Sequence, residues 1–415
     1  MNLSDIARFK KLLKGVSTID IVSFGSAISP EYLINLICNA SWNGRYNEKF
    51  GFIGASLPGN GWHGGFNSLL LGHHVDWVVG GFFGTVNHIN SALGENSVEV
   101  HNIPQGVASC LLSSEERKLL TTIGKNTFID PDNNGSLINN DYSAEKLSIV
   151  ESLGEQLCYS LPESDLVLLR GSGFTPDGNI VLETEPIDLD IEQCIKSARL
   201  RKARIAIQLP DKVIRHYSSF CYRNLFDEVF IAPSSLHCIS YLPNRYHHYC
   251  GNLSRTCLVS ESISYQLAAR ISNGEKLIVG IGLPVPAINH IKRREEDKTF
   301  TAYIESGVEG EIIYDGEGFG ICKNGRKVFS QAAMFKSIWN GDIDHAVLGI
   351  GEIDKDGNVN VSHLGGKFYG VGGFIDISQS INKISFCFRK KTALDRLSHI
   401  SFRADDEKDV EYLVG

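Results

Sequence analysis

The chain predicts an α/β fold of two related open domains, each a mostly parallel sheet with helices on both faces. Three observations carry that expectation. Short apolar runs alternate with segments of helical period, the alternation that builds parallel sheets through crossover helices. The length of 415 residues exceeds one ordinary core and fits two domains. Finally, the second half echoes the first, because three segments recur in the same order, as related domains in one chain would show.

The elements follow in turn. Residues 1–17 form a short amphipathic helix without an apolar signal core, which predicts a cytoplasmic protein. Ile19–Val22 is a buried strand ending in Ser23-Phe24-Gly25-Ser26, and Pro30 then opens the helix PEYLINLICNA, as proline does at a first helical position. Strands follow at Val75–Val79, before the loop Gly80–Gly84, and at Val98–Ile103, before Pro104-Gln105-Gly106. Asp165–Arg170 (DLVLLR) is continuously apolar between its two charged ends, as a strand covered on both faces is. Helix Asp188–Lys202 and strand Arg204–Gln208 close the first domain, placed at residues 1–241.

Residues 242–256, LPNRYHHYCGNLSRT, lack any hydrophobic period and read as a linker. The second domain, 257–415, repeats the pattern: helix Ser262–Ile271, strand Lys276–Val279, the turn Gly280–Pro284, a helix from Val285, and strand Thr299–Ile304. A hairpin at Asn324-Gly325 and helix Gln331–Trp339 come next. Between Asp344 and Ile377, 8 of 34 residues are glycine. That density predicts either tight turns, Asp356-Gly357 among them, or backbone amides that approach a ligand closely. The echoing pairs are Asp165–Asn179 with Asp344–Asn358, Ile103–Val107 with Ile304–Val308, and Ile21–Gly25 with Ile278–Gly282.

Composition excludes several classes. A net charge of −8 argues against nucleic acid as a partner, and no apolar run is long enough for a membrane span. The 10 cysteines contain no CxxC pair, which fits reduced thiols. His247, His248 and Cys250, with Cys257, lack the second pair of a metal site, so no metal is expected. Gly316–Gly320 precedes a turn instead of opening a helix and is no dinucleotide fingerprint. Glu305 ends an apolar strand at the edge where such sheets present side chains to ligands. A carboxylate there can serve as base, nucleophile or helix-cap neighbour.

Nearly the whole chain resembles the family I coenzyme A transferases, in their fused single-chain acetate and propionate branch. The resemblance rests on NIPQG (102–106), TTIGKNTFIDPDNNG (121–135) and DLVLLRGSGFTPDGNI (165–180) in the first half. In the second half it rests on GIGLP (280–284), IESGVEG (304–310), DHAVLGIGEID (344–354), GNVNVS (357–362) and YGVGGFIDISQSINKISFCF (369–388). It implies an enzyme that moves CoA between an acyl-CoA and a small carboxylic acid, with CoA as substrate and no permanently bound cofactor. It further implies a homo-oligomer of two or four chains. Glu305 would be the nucleophile, Gly372 and Gly373 the backbone donors to an oxyanion, and Gln105 a polar contact from across the cleft. Gly280, Gly282, Leu283, Gly307 and Glu352 would contact CoA. The chain departs from the family pattern in three places. Phe82-Phe83 replaces a His-Trp pair, which points to a changed acyl pocket. Glu309 and Glu311 stand beside the nucleophile, where like charge would raise the Glu305 pKa. The chain also stops soon after the FCF strand. With those departures, an acyl-CoA hydrolase and a non-catalytic binding homologue stay open beside the transferase.

Overall fold

The computed structural model describes residues 2–40, 48–139, 147–241, 257–294, 298–389, 393–404 and 407–415. The expected linker and His247, His248 and Cys250 lie outside them, as does the side chain of Cys257. Two seven-stranded sheets form the framework. In the first, the order is Glu228–Ile231, Arg204–Leu209, Leu166–Arg170, Thr18–Ile21, Phe50–Ser56, Val75–Phe82 and Glu99–Asn102, every neighbour parallel. In the second, the order is Asp409–Val414, Lys383–Phe388, His345–Gly349, Glu275–Val279, Phe300–Tyr303, Val308–Glu309 and Arg326–Lys327. The first five of these are parallel and the last two antiparallel. Among the described residues no helix is long and apolar enough to cross a membrane.

Five strands of each sheet therefore correspond one to one, which explains two of the three echoes. Asp165 and Asp344 precede equivalent strands and do the same job. The Asp165 carboxylate accepts the N–H groups of Ser17 and Thr18 at 2.8 and 3.0 Å, and Asp344 accepts that of Lys276 at 2.8 Å. Each ties the start of its strand to the neighbour. The Asp-Gly turns that follow close short antiparallel ribbons, Gly173–Phe174 with Ile180–Val181 and Glu352–Ile353 with Val359–Asn360. Gly178 and Gly357 supply the positive φ at those turns, 86° and 83°.

The third echo is not topological. Ile103 follows the edge strand of the first sheet, whereas Ile304 follows the strand equivalent to Phe50–Ser56. The Asn324-Gly325 turn also differs from the expected hairpin. Cys322–Lys323 pairs with Ile312–Ile313, and Arg326–Lys327 pairs with Val308–Glu309, so the turn links two separate ribbons.

The halves share their cores. One buried apolar cluster includes Val22, Val167 and Ile207 together with Val279, Ala302 and Val347. A second joins Ile53, Trp77 and Val107 to Met334, Phe335 and Ile375. Helix Gln105–Leu112 is the hinge pin of this contact, packed on helices Gln331–Trp339 and Phe374–Ser380. It comes so close that a Cβ on Gly106 would stand 2.5 Å from the Phe335 ring. Truncating the fully buried Phe335 to alanine removes about 3–5 kcal/mol from this junction.

Candidate active site

Glu305 stands where the strand Phe300–Tyr303 reverses at the carboxyl edge of the second sheet. The reversal is tight: Gly307 N–H donates to the Ile304 carbonyl at 2.9 Å, and Ile304 N–H donates to that of Val308 at 3.0 Å. Gly307 adopts φ 81°, and a Cβ there would lie 2.1 Å from the Phe329 carbonyl oxygen, so this turn requires glycine. Ser306 anchors it by donating its buried hydroxyl to the Gly320 carbonyl at 2.7 Å. Glu305 is left at the apex, its side chain lining the cavity between the halves.

The first half reaches this side chain through a backbone lattice. Phe83 N–H donates to the Tyr369 carbonyl at 2.8 Å, Gly372 N–H to that of Gly81 at 3.0 Å, and Gln105 N–H to that of Gly372 at 2.9 Å. Asn102, fully buried, donates to the Gly80 and Gly81 carbonyls, both at 2.8 Å, and accepts the Val371 N–H at 3.0 Å. Held this way, Gln105 donates its side-chain amide to Glu305 Oε1 at 3.0 Å. Gly373 N–H donates to the same carboxylate, and a Cβ on Gly373 would stand 2.3 Å from Glu305 Oε2. Gln105 and Gly373 thus meet Glu305 as the sequence led one to expect.

Burial pushes the Glu305 carboxyl up to about 7, against the opposing pull of the Gln105 amide and the Gly373 N–H. Like charge is not the cause. Glu309 is drawn off by a salt bridge to Arg326, and Glu311 accepts the Asn324 amide at 2.9 Å beside Lys323. Asp376, unmarked by the sequence reading, is a second buried acid behind the site. Burial raises it to about 8, Gly106 N–H donates to its Oδ2 at 3.0 Å, and the charge of Glu305 pushes it further up. The Trp339 side chain pulls the other way, and a proton held on the carboxyl leaves no buried charge unmatched.

The remaining expected residues divide. Gly280, Gly282 and Leu283 line the cavity, as the GIGLP turn implies. Gly307 and Glu352 do not. Gly307 is consumed by the turn, and Glu352 accepts the Asn360 amide at 2.7 Å in its own ribbon. Gly372 lines the cavity, but its N–H is committed to Gly81, so the donor facing Glu305 is Gly373 alone of the pair. Sequence reasoning missed Phe24 and Phe319, whose rings lie 6.4 Å apart across the two halves. Their position at strand ends and turns was visible, but not that they would face each other.

The cavity measures 420 Å³, and its walls are mainly apolar. Among its lining residues Glu305 is the sole carboxylate, with no lysine, arginine or histidine. A half-buried carboxylate facing an open cavity, with one side-chain and one backbone donor on its oxygens, can attack an electrophilic carbonyl and have the resulting oxyanion met by the same donors.

No family model matches the chain. It is 26% identical over 402 residues to caffeate CoA-transferase of Acetobacterium woodii, spanning 91% of this chain and 76% of that protein. It is 27% identical over 339 residues to acetate CoA-transferase YdiF of Escherichia coli K12, spanning 78% of this chain and 64% of that one. The fold matches the acyl-CoA transferase YdiF of E. coli O157:H7, solved as a thioester complex with CoA, with a TM-score of 0.81 at 21% identity. That match covers 98% of this chain and 86% of the other. Along nine-tenths of its length the chain is thus similar to CoA-transferases, and its two-sheet framework matches the fold of the acyl-CoA transferase YdiF.

Proposed function

We propose that the chain transfers CoA between an acyl-CoA and a carboxylic acid through a glutamyl-CoA thioester on Glu305. The Glu305 carboxylate adds to the thioester carbonyl, the C–S bond breaks, and CoA thiolate leaves an acyl-glutamyl anhydride. The thiolate then adds to the glutamyl carbonyl, releasing the acyl group as its carboxylate and leaving CoA on Glu305. An acceptor carboxylate runs both steps in reverse, so no water is consumed and the enzyme returns unchanged. Each addition places an oxyanion where the Gly373 N–H and the Gln105 amide converge, and a donor of this kind is worth about 3–4 kcal/mol.

One observation carries the reading: among the described residues Glu305 is the sole carboxylate on the cavity wall, and two donors from opposite halves hold its oxygens. Its raised pKa keeps it part-protonated near neutral pH, and ionisation readies it for attack. The flank made by Gly280, Gly282 and Leu283 supports a place for the pantetheine arm. The division into units 1–241 and 257–415, and assembly as a dimer or tetramer in the cytoplasm, belong to the same reading. Initial-rate kinetics with varied acyl-CoA and acceptor acid test it. Parallel double-reciprocal lines are expected, and CoA release without an acceptor, at a rate matching transfer, would instead make the chain a hydrolase.

A further inference from the structure

The cavity says more than that an acyl group binds; it restricts which one. Resting on the transferase reading above, we propose that the acid served by this enzyme is a monocarboxylate with a bulky, flat, uncharged tail of aryl type, seated against Phe24, Phe82 and Phe319.

The thioester carbonyl has to lie at Glu305, which divides the cavity in two. On one side are the backbone turns at Gly280–Gly282 and Gly349–Gly351 of the second sheet. Their glycines, with Ile281 and Ile350 between them, give an apolar flank suited to a linear pantetheine arm. On the other side the first sheet presents Phe24, Ser56, Phe82 and Thr85, and Phe319 closes the wall from the second half. That side receives the acyl tail.

Phe82 is fixed against the reaction centre. Its ring lies 3.7 Å from where a Cβ on Gly372 would stand and 3.7 Å from one on Gly25, and a Cβ on Gly84 would collide with it at 2.5 Å. Glycine on three sides leaves the ring room to lie flat and holds it beside the Gly372–Gly373 turn. Phe24 is fixed in the same manner by Gly320, where a Cβ would stand 2.6 Å from its ring. The rings of Phe24 and Phe319 are inclined at 34°. Aromatic walls in this arrangement favour a flat apolar group through offset and tilted ring contacts.

Charge narrows the class further. Among the described residues no lysine, arginine or histidine lines the cavity, and the one carboxylate on its wall is the proposed nucleophile. The distal carboxylate of a dicarboxylic acid would lose its hydration against phenyl rings with no cation to meet it. A small acid such as acetate would leave the aromatic wall unfilled and forgo that contact.

The test compares acceptor acids at fixed donor: acetate, 3-phenylpropionate, cinnamate, and the dicarboxylates succinate and adipate. The expected result is a kcat/KM for the aryl acids at least about 100-fold above acetate and above either dicarboxylate. Acetate or a dicarboxylate equal to or better than the aryl acids, with CoA still loaded on Glu305, would overturn the class and leave the transferase reading standing. Should no acid accept CoA, that reading fails by itself. The class is then decided by titrating the Glu305→Gln protein with cinnamoyl-CoA and acetyl-CoA. At least about tenfold tighter binding of cinnamoyl-CoA supports the aryl site, and equal binding refutes it. Two variants test the wall. Phe82→Ala should reduce the aryl-to-acetate ratio to under about 10, and Thr85→Lys, at the half-buried rim, should raise the adipate-to-phenylpropionate ratio about tenfold or more. Unaltered ratios in both folded variants would contradict the assignment.

Discussion

The two halves start from the same five-strand plan and diverge where the strands Phe50–Ser56 and Phe300–Tyr303 end. In the first half the chain goes on to two more parallel strands, Val75–Phe82 and Glu99–Asn102, and their carboxyl ends deliver Phe82, Asn102 and Gln105. In the second half it reverses at once, and the reversal itself carries Glu305. The first half thus became a wall with an amide donor, and the second a cavity-facing carboxylate with a backbone donor. The difference teaches that the sheet supplies only the place. What it holds depends on the turn after one strand, and there a single glycine, Gly307, makes the turn possible.

The asymmetry at the strand ends contrasts with the symmetry at the strand starts, and mutation can separate them. The largest effect is expected at the reversal: Glu305→Ala should lower kcat by about 10⁴-fold or more while the thermal transition stays intact, as measured by transfer rate and calorimetry. Next comes Gly373→Ala. Its Cβ would press within 2.3 Å of Glu305 Oε2, and kcat should fall about 10²–10³-fold with the loss of an aligned donor.

The pH dependence follows from burial of the same carboxyl. The attacking form of Glu305 is ionised, so kcat/KM of the free enzyme should fall as pH drops through about 7, tenfold per unit below it. Stability moves the opposite way. With its folded pKa raised from 4.5 to about 7, Glu305 keeps a proton in the folded state that the unfolded chain releases within that window. Its contribution to stability therefore declines as pH rises from about 4.5 to 7. Glu305→Gln should remove this decline and gain about 1–2 kcal/mol at pH 8, less than the full shift because the tip faces the cavity. Denaturant titrations of both proteins at pH 5 and pH 8 measure it.

The smallest effects should arise at the symmetric positions. Asp165→Ala loses three hydrogen bonds, to the Ser17 and Thr18 amides and the Ser17 hydroxyl, and should cost about 1–3 kcal/mol. Asp344→Ala loses the bond from Lys276 and, being exposed, should cost about 0.5–1 kcal/mol. Neither should alter kcat by more than about twofold, since neither lines the cavity. A large loss of activity in one of them would break the comparison between scaffold and site.

Features with local causes were legible in the sequence. Most parallel strands announced themselves as apolar runs, although Phe50–Ser56, Glu228–Ile231 and Asp409–Val414 did not; the helix Gln331–Trp339 was readable to the residue, and the Asp-Gly turns carried their own chemistry. Glu305, Gln105 and Gly373 were reached through motif resemblance, and the structure brings those three together. What escaped depended on distant partners. Glu309 looked like a charge pressing on Glu305 until strand pairing brought Arg326 to it. Gly372 looked like a donor until Gly81, far earlier in the chain, claimed its N–H. Phe24 and Phe319 form one wall only because the halves close on each other. Asp376 read as a helix residue, and its burial behind Gly106 comes from the docking of three helices.

The central claim is that Glu305 carries CoA during turnover. Intact-protein mass spectrometry after mixing with an acyl-CoA, without acceptor, followed by peptide mapping, tests it most directly. The account predicts a gain of one CoA less one water on the peptide holding Glu305, lost on adding the acceptor acid and absent from Glu305→Gln. An enzyme that transfers CoA at full rate while that peptide stays unmodified, or carries the adduct elsewhere, would contradict it.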